Sequence, residues 1–166
     1  SSGNITMEYM NINFVEMINQ TTGEFAEKFE KRNLQIVLNV PEKPVMVRTD
    51  GRRMWRVIEN IYNNAAKYAL EGTRVYADLI EKEHTVEFSL KNISEQPLNI
   101  SADELTERFI RGDVSRSTEG SGLGLSIAKN LTELQGGKFE LYLDGDLFKV
   151  TIVFPKAVVG QSVTKS

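Results

Sequence analysis

The stretch from Arg52 to Leu70 constrains the fold of this chain more than any other segment. It contains neither glycine nor proline, and its apolar residues recur at the three- and four-residue intervals that line one side of a helix. These apolar residues are Met54, Ile58, Ile61, Ala65 and Ala69. We therefore predict a long amphipathic helix that packs one face against a core.

The polar side of this helix is rich in asparagine. At about 100° per residue, Asn60, Asn64 and Lys67 project along one line. Arg53 and Arg56 extend the same face. Each asparagine inside a helix lowers the stability of the helix by roughly 0.6 kcal/mol relative to alanine. A cluster of asparagines therefore indicates a role other than helix formation. Amide oxygens can coordinate Mg²⁺, and a lysine one helical turn further along can form an ion pair with a phosphate. The pattern alone leaves a solvated face and a binding site equally open.

A glycine-rich segment, Gly120 to Gly124, opens a second predicted helix. The apolar positions of this helix are Leu123, Ile127, Ala128, Leu131 and Leu134. A helix N-terminus carries a partial positive charge and free N–H groups, and glycine lets a polyphosphate approach them closely. The signal is weak on its own, because such turns are ordinary connectors. It also fits neither the dinucleotide pattern, whose third glycine would fall at Leu125, nor the P-loop pattern.

The remaining segments predict one domain of alternating helices and hairpins. In the first helix we expect core contacts from Phe14, Ile18, Phe25 and Phe29, with Gly23 as a weak point. The order of elements is typical of an α+β fold, a two-layer α/β sandwich with helices on one face of a mixed sheet. The further predicted elements are a helix from Asn13 to Lys31, strands at Leu34 to Val40 and Val45 to Thr49, a hairpin of Arg74 to Glu81 with Thr85 to Lys91, a short helix from Ala102 to Phe109, and a hairpin of Lys138 to Leu143 with Leu147 to Phe154.

Composition excludes several classes of protein. The chain has 166 residues and 40% hydrophobic content, enough to bury one core. Its 20 Lys and Arg against 23 Asp and Glu leave a net charge of −3, which gives no sign of a nucleic-acid surface. The absence of cysteine rules out disulfides and thiolate metal sites. No apolar run approaches the roughly 20 residues that span a bilayer.

Three motifs, taken in order, resemble those of one family. Asn60 to Tyr68 matches an N box, Glu107 to Arg116 an F box with its lid, and Glu119 to Gly124 a G2 box. The chain is thus similar to the catalytic, ATP-binding domain of bacterial sensor histidine kinases, in the superfamily of gyrase, Hsp90, histidine kinases and MutL. The resemblance covers about residues 8 to 156.

This resemblance implies an architecture for the whole chain. The family has the Bergerat fold, a mixed and mostly antiparallel sheet with about three helices on one face and a mobile ATP lid. Residues 1 to 7 would be a connector from an absent dimerisation helix, and residues 157 to 166 a C-terminal tail. The domain would be cytoplasmic, and its parent a membrane sensor of a bacterium.

The resemblance also implies catalytic roles. Asn64 would coordinate Mg²⁺ and Lys67 would meet phosphate oxygens. Asn60 stands where gyrase-like ATPases carry a glutamate that activates water. Because asparagine cannot act as a general base, this fits an enzyme that passes its phosphoryl group to a histidine instead of to water. Arg111 or Arg116 could reach the γ-phosphate, although a solvated loop position is an equal alternative for Arg116.

Further nucleotide contacts follow from the same motifs. Tyr68 could close over the nucleotide and Phe109 could anchor the lid, with core packing as the alternative for both. The other implied contacts are Gly120, Ser121, Gly122, Leu123, Gly124 and Leu125.

One motif departs from the family pattern. The family's G1 box usually reads Asp-x-Gly-x-Gly after a strand, and its aspartate accepts a hydrogen bond from the adenine amino group. Here Asn92 takes that position and the two glycines are missing. A neutral amide is a weaker acceptor than a carboxylate and can also donate, so we expect weaker nucleotide binding and relaxed discrimination of adenine from guanine.

The expected function is therefore binding of Mg-ATP and transfer of its γ-phosphoryl group to a histidine on a dimerisation domain, for relay to a response regulator. The single histidine, His84, lies in a predicted turn among charged residues, so the acceptor must come from elsewhere. We expect the isolated chain to be monomeric. Three alternatives stay open: a non-catalytic interaction module with a decayed G1 box, a serine kinase of the anti-sigma type, and a gyrase- or Hsp90-like ATPase, against which Asn60 counts.

Overall fold

The structure is a computed structural model that describes residues 6–98 and 121–158, with backbone only at 121–123. The predicted helix Ala102 to Phe109 and the lid lie outside the described residues. The elements, in chain order, are β1 (Tyr9–Asn13), α1 (Phe14–Lys31), β2 (Gln35–Asn39), β3 (Met46–Asp50), α2 (Gly51–Tyr68), β4 (Arg74–Glu81), β5 (Thr85–Ile93), α3 (Ser121–Leu134), β6 (Lys138–Asp144) and β7 (Leu147–Pro155).

The strands of the described part form a five-stranded sheet in the order β2-β4-β5-β7-β6 and a two-stranded ribbon of β1 with β3. Only the β2–β4 pair is parallel among them, and the other pairs are antiparallel. The predicted mixed, mostly antiparallel α+β sandwich is thus confirmed. Strand β1 was not predicted, because two of its five residues are asparagines, which strands disfavour, and it forms by pairing with the distant β3.

A stack of aromatic rings joins α1, α2 and the sheet. The Tyr62 ring stacks on Phe88 of β5 and on Phe29 of α1, with centroids 6.2 Å apart in both pairs. Burial raises the pKa of Tyr62 to about 12, and its hydroxyl is hydrogen-bonded to that of Thr22 at 2.6 Å. The predicted core residues of α1, among them Phe14 and Phe29, are all buried, and the helix runs unbroken through Gly23. This stack sets the rotation of α2 about its axis.

Helices α2 and α3 run antiparallel along each other. Gly124, near the start of α3, lies against Asn60 in the middle of α2. At the other end, the side chain of Gln135 accepts a hydrogen bond from Asp50 at the start of α2. After α3 the chain turns through Gly136, whose φ is +84°. Helix α3 therefore lies against α2 at Asn60.

Candidate functional site

The polar side of α2 is not a simple solvated face. Asn64 is only 8% exposed, and the Nδ2 atom of Asn60 is buried with no hydrogen-bond partner in the described part of the chain. Arg56 and Lys67, predicted on the same face, are exposed. The predicted line of polar residues is thus divided: Asn60 lies against α3 and Asn64 is buried, whereas Arg56 and Lys67 are exposed.

Asn92 lies on the helix-facing side of the sheet. It alternates with Val86, Phe88 and Leu90, which are core residues, and is only 4% exposed. The end of its strand is joined to the end of α2, because the Leu70 N–H donates to the carbonyl oxygen of Ile93 at 2.7 Å. Neighbouring elements therefore bring Asn92 to the same side of the sheet as Asn60 and Asn64.

One of these three asparagines has a buried polar atom without a partner. Within the described ranges, the Nδ2 atom of Asn60 is shielded from solvent and makes no hydrogen bond. Asn63 differs, since its Oδ1 accepts a hydrogen bond from Lys28 Nζ at 3.2 Å. Shielding an amide without a partner costs free energy, so such groups are typical of a site that binds a polar ligand.

The start of α3 forms another wall. A Cβ at Gly124 would lie 3.7 Å from Asn60 Oδ1, so the glycine leaves the backbone of α3 close to the asparagine side chain. Leu125 is 1% exposed and packs in the core, so its side chain faces away from this wall. Only the backbone of Ser121, Gly122 and Leu123 is described, within α3. The predicted contacts Phe109, Arg111, Arg116 and Gly120 lie outside the described residues.

The end of α2 is held by Arg32, a residue that sequence reasoning did not single out. Its Nη1 atom donates to the carbonyl oxygens of Ala66 and Lys67 at 2.9 and 3.1 Å, and its Nη2 atom pairs with Glu95 at 2.8 Å. The Tyr68 carbonyl oxygen accepts from the Glu95 N–H at 2.9 Å. These contacts place the exposed Lys67 and the half-buried Tyr68 at the mouth of the site. No local pattern could have found Arg32, because its partners are distant in sequence.

The start of α2 is held by Asp50, its N-cap residue. Burial raises the pKa of Asp50, but hydrogen bonds from the Glu8 and Arg53 N–H groups and from the Arg53 guanidinium outweigh this and hold it below the usual range. The two carboxylate oxygens accept at 2.7 to 3.1 Å. An aspartate just before an apolar helical pattern is the expected N-cap signal, so this residue could have been found from sequence.

A groove of about 880 Å³ lies beside the asparagine site, between the first half of α2 and the second half of α3. Arg52, Arg53 and Arg56 form one wall, and Ile127 and Leu131 belong to the other. Among the described residues that line it, none is Asn60, Asn64 or Asn92.

Within residues 6–98 and 121–158, no group of three or more His, Cys, Asp or Glu side chains could hold a metal ion. In the same ranges, no helix is long and apolar enough to cross a membrane. His84 is 85% exposed in the β4–β5 turn, next to Glu83, as predicted.

Comparisons with known proteins agree with the geometry. Residues 49–158 match the family described as "Histidine kinase-, DNA gyrase B-, and HSP90-like ATPase". The chain is 33% identical over 148 residues to the sensor protein KdpD of Clostridium acetobutylicum, covering 83% of the chain and 16% of that protein. It is 30% identical to the sensor protein VanSC of Enterococcus gallinarum, covering 84% of the chain and 39% of VanSC. The chain thus spans well under half of these relatives.

The fold has a solved counterpart among histidine kinases. A nucleotide-free structure of the catalytic domain of histidine kinase ThkA superimposes with a TM-score of 0.78 at 26% identity, covering 90% of this chain and 97% of that domain. The predicted resemblance is confirmed at the level of family and fold. The chain belongs to the histidine kinase, DNA gyrase B and HSP90-like ATPase family and is similar, within it, to the catalytic domains of sensor histidine kinases.

Proposed function

We propose that this domain binds Mg-ATP between α2, the end of β5 and the start of α3. In the full-length protein it would transfer the γ-phosphoryl group to a histidine on a dimerisation domain, for relay to a response regulator. The observation that carries the proposal is the buried Nδ2 atom of Asn60, which has no hydrogen-bond partner in the described part of the chain, together with the low exposure of Asn64 and Asn92 on the same side of the sheet. ATP can form hydrogen bonds with such amide groups, because it carries an amine donor at one end and charged oxygen acceptors at the other.

Each asparagine has a role that its chemistry allows. Asn92 would accept from the adenine amine at the buried end of the pocket. Asn64 would supply an amide oxygen to Mg²⁺, whose other ligands would be phosphate oxygens and water, as is common for this ion. Bound Mg²⁺ would neutralise phosphate charge. Asn60, which cannot take a proton from water, would leave the γ-phosphoryl group for an external acceptor.

A cation at the rim of the site, Lys67, is placed to bind the phosphate groups of ATP. Lys67 is exposed in the last turn of α2, one turn beyond Asn64 and on the same side of the helix. Its ammonium group would meet phosphate oxygens as a point charge. Arg111 and Arg116, outside the described residues, remain the proposed partners of the γ-phosphate.

Calorimetric titration with ATP, with and without Mg²⁺, tests the binding step. Asn64→Ala should abolish the Mg²⁺-dependent part of the binding. Asn63→Ala is the matched control, because Asn63 lies on the same helix but pairs with Lys28 outside the site. Retained Mg²⁺-dependent binding in Asn64→Ala would remove Asn64 from the site. No binding by the unmodified chain at millimolar ATP would favour the non-catalytic interaction module.

A second experiment tests the transfer step. The chain, supplied with ATP and the dimerisation domain of its own parent protein, should produce acid-labile phosphohistidine on that domain. Incubated alone, it should not label, because His84 is in the exposed β4–β5 turn. Acid-stable phosphoserine on a partner would instead indicate a serine kinase.

A further inference from the structure

The junction between the end of α3 and the start of α2 is built from buried polar groups that the proposed chemistry does not use. Gln135 is 6% exposed and follows α3 directly. Its Oε1 atom accepts a hydrogen bond from the Asp50 N–H at 2.8 Å, and its Nε2 atom donates to the Leu131 carbonyl oxygen at 3.0 Å. One side chain therefore joins the last turn of α3 to the residue that caps α2.

The partner of Gln135 is immobilised from several sides. Asp50 is 2% exposed, and its carboxylate accepts from the Glu8 N–H, the Arg53 N–H and the Arg53 guanidinium. It is also the last residue of β3, paired with Tyr9 of β1. The Asp50 N–H is thus held in a fixed position. An acceptor can form a hydrogen bond with it only from one position, which Gln135 Oε1 occupies.

This junction bears on the site because α2 and α3 are antiparallel. The contact of Gln135 with Asp50 is at one end of the helix pair, and the contact of Gly124 with Asn60 is nearer the other. A shift of α3 along its axis would move both contacts together, since a helix is stiff over this length. Apolar residues of α3 such as Leu125 and Ala128 are buried, and apolar burial is non-directional, so it does not by itself fix a lengthwise position.

We propose that Gln135 is a positioning residue that sets the lengthwise register of α3 against α2, and so the distance from Gly124 to Asn60 in the nucleotide site. The inference rests on the proposed nucleotide site for its functional consequence. Its structural part, the register of α3, can be measured without any nucleotide. Gln135 itself does not touch the ligand.

Gln135→Met removes both hydrogen bonds while keeping the length of the side chain. Gln135→Glu keeps an acceptor for the Asp50 N–H but loses the donor to Leu131. We expect ATP affinity to fall about three- to tenfold in the Met variant, the equivalent of about one neutral hydrogen bond, and less in the Glu variant. Affinities are measured well below the unfolding midpoints, so that every variant is fully folded.

A matched control separates register from general stability. Leu38→Ala removes apolar packing at β2, the edge strand that β4 and β5 separate from the strands that follow α3. It should lower the unfolding temperature without changing ATP affinity. In nucleotide-free protein, nuclear magnetic resonance should show shifted signals for the Gly124 amide and the Asn60 side-chain amide in Gln135→Met, and unshifted signals in Leu38→Ala.

The outcomes distinguish this proposal from the proposed function. Unchanged Gly124 and Asn60 signals in Gln135→Met would overturn the register role, whatever nucleotide does. Shifted signals with unchanged ATP affinity would overturn its link to binding. If the unmodified chain fails to bind ATP, the proposed function fails, and shifted signals would then still support Gln135 as the residue that sets the register of α3.

Discussion

Gly124 lies against the side chain of Asn60, across the interface of α3 with α2. The contact is close without being crowded, since a Cβ at this glycine would be 3.7 Å from Asn60 Oδ1, at ordinary van der Waals distance. The glycine has a negative φ inside α3, so its backbone does not require glycine. The fold therefore does not need a glycine here, and the missing side chain leaves open space beside Asn60.

Gly124→Ala should accordingly separate stability from binding. We expect the free energy of unfolding to stay level or rise by up to about 1 kcal/mol, because alanine favours a helix over glycine. ATP affinity should fall, since the methyl group would occupy the space beside Asn60. Urea unfolding and calorimetric titration measure the two effects. Gly23→Ala in α1 is the control, with open space around its Cβ, and should gain stability with unchanged binding. Equal affinity in both variants would contradict this use of Gly124.

Asn92→Asp should restore the acceptor that the family pattern leads us to expect. We expect ATP to bind about five- to tenfold more tightly, because a charged acceptor forms a stronger hydrogen bond than an amide. GTP should bind more weakly than it does to the unmodified chain, since the variant can no longer donate to guanine. The nucleotide-free protein should lose stability, because Asn92 is buried and a charge there would be unpaired. Competition titrations with ATP and GTP measure the ratio. Strong rejection of GTP by the unmodified chain would show that Asn92 does not relax discrimination.

Asp50 should make stability depend on pH in the acid range. Its pKa in the folded protein is lowered, so its contribution is complete above the unfolded value of about 3.9 and is lost as the pH falls below that value towards the folded pKa. Asp50→Asn should be less stable than the unmodified chain at pH 7, by about 1 to 2 kcal/mol, with a difference that shrinks below pH 4. Urea unfolding from pH 7 to pH 3 measures the difference. A constant difference over this range would mean that the ionised form of Asp50 is not favoured by folding.

Arg32→Ala should loosen the end of α2. The variant loses hydrogen bonds to the Ala66 and Lys67 carbonyl oxygens, and we expect a cost of about 1 to 3 kcal/mol. Glu95→Gln removes only the partly exposed ion pair and should cost less than about 1 kcal/mol. Thermal unfolding compares the two variants. Similar losses in both would place the stabilisation in the ion pair and not in the capping of α2.

Local sequence patterns predicted most of the helices and strands, because the apolar spacing and the turn residues of a segment largely determine its secondary structure. The apolar spacing of α2 correctly placed Met54 and Ile61 in the core, and turn residues marked the hairpins of β4 with β5 and of β6 with β7. Strand β1 escaped prediction because its pairing with β3 is a distant contact that its own residues do not encode. The motif order sufficed to recognise the family, which the comparison then confirmed.

Only part of the candidate site could be predicted from the sequence. Helical spacing put Asn60 and Asn64 on one line but left a solvated face and a binding site equally open. The sequence by itself determined which residue types lie on which side of α2, because that depends only on a rotation of about 100° per residue. Tertiary structure decided that α3 lies against Asn60, that Asn64 is buried, that Asn92 faces the helices, and that Arg32 and Gln135 hold the ends of α2 and α3. Burial and non-local hydrogen bonds depend on where distant segments meet, and no local pattern contains that information.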